Sequence, residues 1–198
     1  MEASEPADVA RAAGAFLHGL ESTGIRGCLK HFPGLGGTRV DSHKALPVLD
    51  DELQIRRNAL PYLALSNEDR LVMVAHLRTP ATDALPASMH RGSVRENPWG
   101  VRGRFLPDDL EMGGCTDWSW DDRVRFCLEA GHEWLLVCQT ESGVRACAEA
   151  LARQPEALTR SAVARNREMR ANLPPLAPGP LDAQAWADWV ERLRRAAN

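Results

Sequence analysis

Apolar positions change period several times along the chain, and each change marks an element. Residues 8–21 place Val9, Ala13, Phe16, Leu17 and Leu20 on one face at helical spacing, and Gly24 closes that helix. A short strand is predicted over 25–31. It runs into a loop over 33–47 (PGLGGTRVDSHKALP), too polar and too punctuated by glycine and proline to be a core element. A helix over about 50–64 opens on Asp50, Asp51 and Glu52, which suit the positive end of its dipole. Residues 70–77 (RLVMVAHL) form the clearest strand, short and continuously apolar as in a buried parallel sheet. A short helix over 88–96, a weaker strand over 101–106, a helix over 119–130, a strand over 133–138 and a helix over 141–152 come after it.

A helix followed by about four strand–loop–helix units predicts an α/β protein with a parallel sheet, either a barrel or a doubly wound layer. Periodicity does not separate the two. Beyond residue 155 the texture changes: a helix over 156–171, a proline-rich linker over 173–180 (LPPLAPGP), and a last helix carrying Trp186, Trp189, Val190 and Leu193. The expected division is 1–155 for the sheet domain and 156–198 for a helical tail.

Composition narrows the function classes. The chain has 198 residues, 44% of them hydrophobic, with a formal net charge of -3, enough apolar residues for one core and no basic excess to favour nucleic acid or an anionic membrane surface. No run of the sequence is long and apolar enough to span a bilayer, and the first residues lack the pattern of a secretory signal. The five cysteines form no C-x-x-C pair, and several, lying inside apolar runs, read as core residues of a reducing compartment. The expectation is a cytoplasmic protein without nucleic-acid or membrane partners.

Chemistry gathers where the predicted strands end. Lys30 and His31, then His76, then Asp108 and Asp109 all stand at the carboxyl ends of strands, where α/β barrels carry their functional groups. In the long loop, Asp41 and His43 are two residues apart, so an extended backbone points both the same way. The carboxylate can then fix the imidazole's tautomer for general acid/base work, while a polar turn with no chemistry is the other reading of the triplet. Asp108 is the carboxylate expected to point inward. For Asp109, capping the next helix is as good a reading as catalysis, and a histidine closing a strand, such as His76, is more often a satisfied structural residue. A metal-dependent hydrolase using His31, His43, His76 and Asp108 lacks any tight ligand pair of the H-x-H kind, so no metal and no cofactor are expected.

The run KHFPGLGGTRVDSHKALPVLD (30–50) resembles the signature of the bacterial β-N-acetylhexosaminidases of glycoside hydrolase family 3. VMVAHL (72–77), LPASMH (85–90), DDLEM (108–112) and EAGHEWLLV (129–137) come next in the family's order. The resemblance implies the C-terminal part of a (β/α)8 barrel, about four parallel strands with flanking helices. It also implies a retaining two-step hydrolysis of terminal β-linked N-acetylglucosamine, with a carbohydrate as partner. In that scheme Asp108 is the nucleophile, His43 the acid and then base, Asp41 its partner, and Lys30 and His31 bind the sugar. Leu35 and Gly37 stand where the family has a histidine and an aspartate, and Pro107 stands where it usually has a serine. A full barrel takes roughly 250 residues, so the resemblance further implies a missing N-terminal half. That half would be supplied by another chain or by a second copy, or else the chain is a non-catalytic subunit. A β-glucosidase of the same family is the remaining alternative.

Overall fold

The computed structural model describes residues 5–172 and 182–196, and the proline-rich linker expected over 173–180 lies outside them. Helix α1 (Pro6–Glu21) precedes strand β1 (Cys28–Phe32), helix α2 (Glu52–Leu65) and strand β2 (Leu71–Val74). The single-turn helix α3 (Arg91–Val94) and strand β3 (Arg104–Pro107) come next. Helices α4 (Trp120–Ala130), α5 (Glu141–Ala152), α6 (Glu156–Ala171) and α7 (Ala183–Ala196) complete the order. Among the described residues no helix is long and apolar enough to cross a membrane.

The strands form one parallel sheet in the order β1-β2-β3. Phe32 pairs with Val74 and Val74 with Pro107, so all three strands stop at the same level and the segments leaving them meet at one end of the sheet. Phe32, Val72 and Val74 are buried, joined by Leu17 of α1 and Ala59 of α2. The Phe32 ring meets Tyr62 and Phe105 edge-on at 5.5 and 6.4 Å. Each such side chain taken fully from water stabilises the fold by about 1.5–3 kcal/mol. A second cluster, Val124, Leu128, Cys147, Ala150 and Ala162, binds α4, α5 and α6 together. Side-chain oxygens of Asp51, Ser119 and Thr140 cap α2, α4 and α5, and Gly131 ends α4 in the left-handed conformation.

Two predicted elements differ. The strand expected over 133–138 is not one: the described sheet has three strands, not four. The segment is extended, and Leu135 and Val137 pack on the α4–α5 cluster, which is what their apolar character registered. It runs beside the chain that leaves β3 rather than beside β3 itself. The Leu110 amide donates to the Leu136 carbonyl at 2.9 Å, but the Cys138 amide turns to the Asp109 carboxylate at 3.2 Å instead of continuing a ladder. The helix expected over 88–96 is split into a 3-10 turn (Ala87–Met89) and α3, because the intervening His90 backbone is extended.

Candidate active site at the carboxyl end of the sheet

Asp108 leaves β3 at the level where β1 and β2 also end. Its amide donates to the Val74 carbonyl at 3.0 Å, and its own Oδ1 accepts the Asp109 amide at 2.9 Å. That leaves Oδ2 facing His31 Nε2 across 3.6 Å. The Asp108 side chain is only 12% exposed. Burial holds His31 below the ordinary histidine range; the Asp108 charge opposes that shift, and the positive charges of Lys30 and His43 add to it. Lys30, exposed on β1, lines the rim of the apolar groove between α1 and α2. The Lys30–His31 and Phe32–Pro33 peptides are cis.

The residues after Asp108 are held by buried polar side chains. His76, fully buried, has Nε2 2.9 Å from the Asp109 carbonyl and Nδ1 2.7 Å from Ser88 Oγ. A carbonyl only accepts, so Nε2 carries the proton and Nδ1 accepts from the serine hydroxyl. Burial keeps this imidazole below its ordinary pKa. Arg123 Nη1 donates to the Leu110 carbonyl at 2.8 Å. The Ser88 carbonyl takes Nε2 of His132, whose pKa burial pushes down to about 4.

Asp109 caps no helix, the N-cap of the next helical element being Met112; it closes the turn after itself and ties in a distant segment. Its Oδ1 accepts the amides of Glu111 and Cys138 at 3.1 and 3.2 Å, and its Oδ2 accepts Gln139 Nε2 at 2.7 Å. Glu111 ties the same loop from the other side, with Oε2 accepting the Gln139 and Thr140 amides at 2.7 and 3.0 Å and Oε1 accepting the Thr140 hydroxyl at 2.5 Å. These donors hold the Glu111 carboxyl below the usual range. Gly143 is what lets Glu111 sit there, since an added methyl group would overlap its carboxylate.

Asp41 and His43 meet, but across a turn rather than along the expected extended segment: the Lys44 and Ala45 amides donate back to the Asp41 carbonyl at 2.9 and 3.2 Å. Asp41 Oδ1 lies 2.8 Å from His43 Nδ1 and also accepts the His43 amide at 3.0 Å. The backbone bond, then the imidazole bond, draws the Asp41 pKa down. Both groups are open to solvent, the His43 side chain at 73% and Asp41 at 51%. With Nδ1 donating to the carboxylate, Nε2 of His43 is free to exchange a proton. Ser42 between them points inward and is buried.

This loop rests on two residues that the sequence pattern does not single out. The amides of Gly113 and Gly114 donate to the His43 and Ser42 carbonyls, each at 3.1 Å. Gly113 and Gly114 begin the 3-10 turn after Asp109–Met112, so one short stretch carries Asp108 at one end and the seat of the His43 loop at the other. The double glycine after DDLEM is the signal that could have found them. The sites therefore fall into two pairs, His31 with Asp108 and Asp41 with His43, with Lys30 on the groove rim. Among the described residues, no group of three or more His, Cys, Asp or Glu side chains is clustered to hold a metal ion.

Comparison with known proteins gives this geometry its context. The family model described as glycosyl hydrolase family 3 N terminal domain matches residues 3–168. A β-hexosaminidase of Idiomarina loihiensis is 33% identical over 144 residues, covering 70% of this chain and 44% of that protein. One from Neisseria meningitidis is 36% identical over 140 residues, covering 67% and 39%. Among solved structures, zinc-bound CbsA from Thermotoga neapolitana superposes with a TM-score of 0.77 at 27% identity, covering 89% of this chain and 41% of that one. A family 3 β-N-acetylglucosaminidase from a Paenibacillus species gives 0.73 at 26%, covering 88% and 37%. The chain spans about half or less of the length of these relatives.

Proposed function

The chain belongs to glycosyl hydrolase family 3, and on that premise we propose that it is the part of a β-N-acetylhexosaminidase barrel that carries the reacting groups. The three parallel strands and their helices are a portion of a (β/α)8 barrel, with the carboxyl ends of the strands facing the substrate. The observation that carries the reading is what one short stretch, 108–114, supports: a shielded carboxylate, Asp108, with Oδ2 turned to His31, and, on the loop seated on Gly113 and Gly114, the exposed imidazole of His43 with Nε2 open.

The steps follow from these groups. Asp108 attacks the anomeric carbon as the bond to the leaving oxygen breaks, and His43 Nε2 gives its proton to that oxygen. A water then attacks the glycosyl–Asp108 ester, His43 takes the water's proton, and the carboxylate is released with retained configuration. Asp41 accepts the His43 Nδ1 proton throughout, so the imidazole keeps its orientation through both steps. His31, held next to Asp108, and Lys30 donate hydrogen bonds to the sugar.

The test is hydrolysis of an aryl β-N-acetylglucosaminide by the purified chain and by Asp108→Ala. Turnover that Asp108→Ala abolishes is the expected result; turnover indifferent to the substitution would sink the assignment. A second reading, that the chain works only as one half of a two-part barrel, is favoured by the outer edge of β1, which no described strand covers, and by the 44% of the first relative that the chain spans. Under that reading the isolated chain is inactive and gains activity with a second copy or with the other barrel half. A monodisperse, active monomer would exclude it.

A further inference from the structure

We propose that Gly113 is a positioning residue: its bare backbone is the seat on which the His43 loop docks, and it sets where the acid/base group stands relative to Asp108. This rests on the reading of His43 as acid/base. His43 and Asp41 are exposed, and their mutual hydrogen bond lies within the loop, so it orients the ring without anchoring the loop to anything else.

The anchoring comes from the glycine turn. The Gly113 amide donates to the His43 carbonyl and the Gly114 amide to the Ser42 carbonyl, so the residue that bears the imidazole is itself one of the two tied down. Approach is close enough that a methyl group on Gly113 would overlap the Lys44 carbonyl and stand 2.8 Å from the His43 oxygen. Backbone atoms, not the end of a flexible chain, would have to give way. Under Gly114 the surface is as firm, since a methyl there would lie 2.9 Å from Cβ of the fully buried His76. His76 in turn holds the Asp109 carbonyl. The turn that fixes Asp108 thus continues without a break into the seat of His43, and no residue other than glycine at 113 allows that contact.

The substitution to make is Gly113→Ala in the full chain. Its control is Gly19→Ala, because a methyl added to Gly19 meets nothing within 4 Å. Two readouts are taken together, hydrolysis of an aryl β-N-acetylglucosaminide and the NMR titration of the His31 imidazole, which feels the charge of His43. With the loop lifted, kcat is expected to fall about 10–100-fold while KM changes less than about threefold, a partial loss of the about 10²–10⁴-fold that general acid/base catalysis supplies. His31 is expected to titrate at higher pH than in the parent, because a neighbouring positive charge has withdrawn. The control should leave both unchanged. An unchanged kcat with an unchanged His31 titration would overturn the proposal.

If the parent chain proves inactive, hydrogen exchange at the Gly113 and Gly114 amides decides, and the failure is then of the enzymatic reading and not of the seat. If Gly113→Ala does not fold, hydrogen exchange in the parent decides instead. The Gly113 and Gly114 amides should exchange at least about tenfold more slowly than in an unstructured chain, and exchange at the unprotected rate would refute the docking.

Discussion

The two halves of the candidate site are built on opposite terms. Beneath Asp108 lies a set of buried ties: His76 on the Asp109 carbonyl, Ser88 on His76, and Arg123 on the Leu110 carbonyl. Around His43 the ties are few: one exposed carboxylate beside the ring, and two glycine amides beneath the loop. A nucleophile must meet one carbon at one angle, and a small displacement costs rate steeply. An acid/base group has to serve two steps and exchange its proton with water, which an exposed imidazole does. The contrast teaches that stability and chemistry draw on different residues here, so substitutions on the two sides should separate in their effects.

The largest effect falls on the buried side. Asp108→Ala should lower kcat by at least about a thousandfold, as losing a nucleophile does, and it should also lower the thermal midpoint, because the buried Asp109 amide loses its acceptor. His43→Ala should cost about 10²–10⁴-fold, and less for an aryl substrate whose leaving group needs no proton. Comparable losses for a good and a poor leaving group would break the assignment of His43 as acid.

Next comes stability. His76→Ala removes the donor to a buried carbonyl and leaves the Ser88 hydroxyl without its partner, which costs roughly 2–4 kcal/mol. Asp41→Asn, on the open side, should move the midpoint hardly at all yet lower kcat several-fold. Urea melts of the two variants check this, and equal destabilisation would erase the proposed contrast.

The pH dependence is smaller and has a definite sign. His132 is buried with its pKa pushed down to about 4, whereas in the unfolded chain it takes up a proton near 6.5. Between those values the unfolded chain binds more protons, so stability falls as pH drops from about 6.5 to about 4 and levels off below. The full contribution is roughly 3 kcal/mol at most. Asp41 and Glu111 have depressed pKa values, so their ties hold above the ordinary carboxylate range and loosen only as pH falls through and below it. Melting curves of His132→Gln should show a flatter acid limb than the parent, and an unchanged limb would contradict the assignment.

How much of the molecule is legible in the sequence depends on how local each signal is. RLVMV announces β2 because a buried parallel strand needs an unbroken apolar run, and Asp108 is visible because it directly succeeds a strand. The two-residue spacing lets Asp41 and His43 meet but fits a plain polar turn equally, and only the resemblance gives the pair a role. The 133–138 segment misleads because Leu135 and Val137 are apolar for packing, while a strand also needs a ladder partner, which sequence pattern does not supply. The double glycine at 113–114 is visible as a pair, but what it packs against is not, because the carbonyls of His43 and Lys44 lie far earlier in the chain. Glu111 is silent for the same reason: its partners at 139 and 140 become neighbours only once the chain has folded.

The most direct test of the central claim is the mass of the chain quenched during turnover of an aryl β-N-acetylglucosaminide. The account predicts an increase of one N-acetylglucosaminyl group, carried on the peptide containing Asp108 and missing in Asp108→Ala. An adduct on another peptide, or turnover by the Asp108→Ala chain at the parent rate, would contradict it.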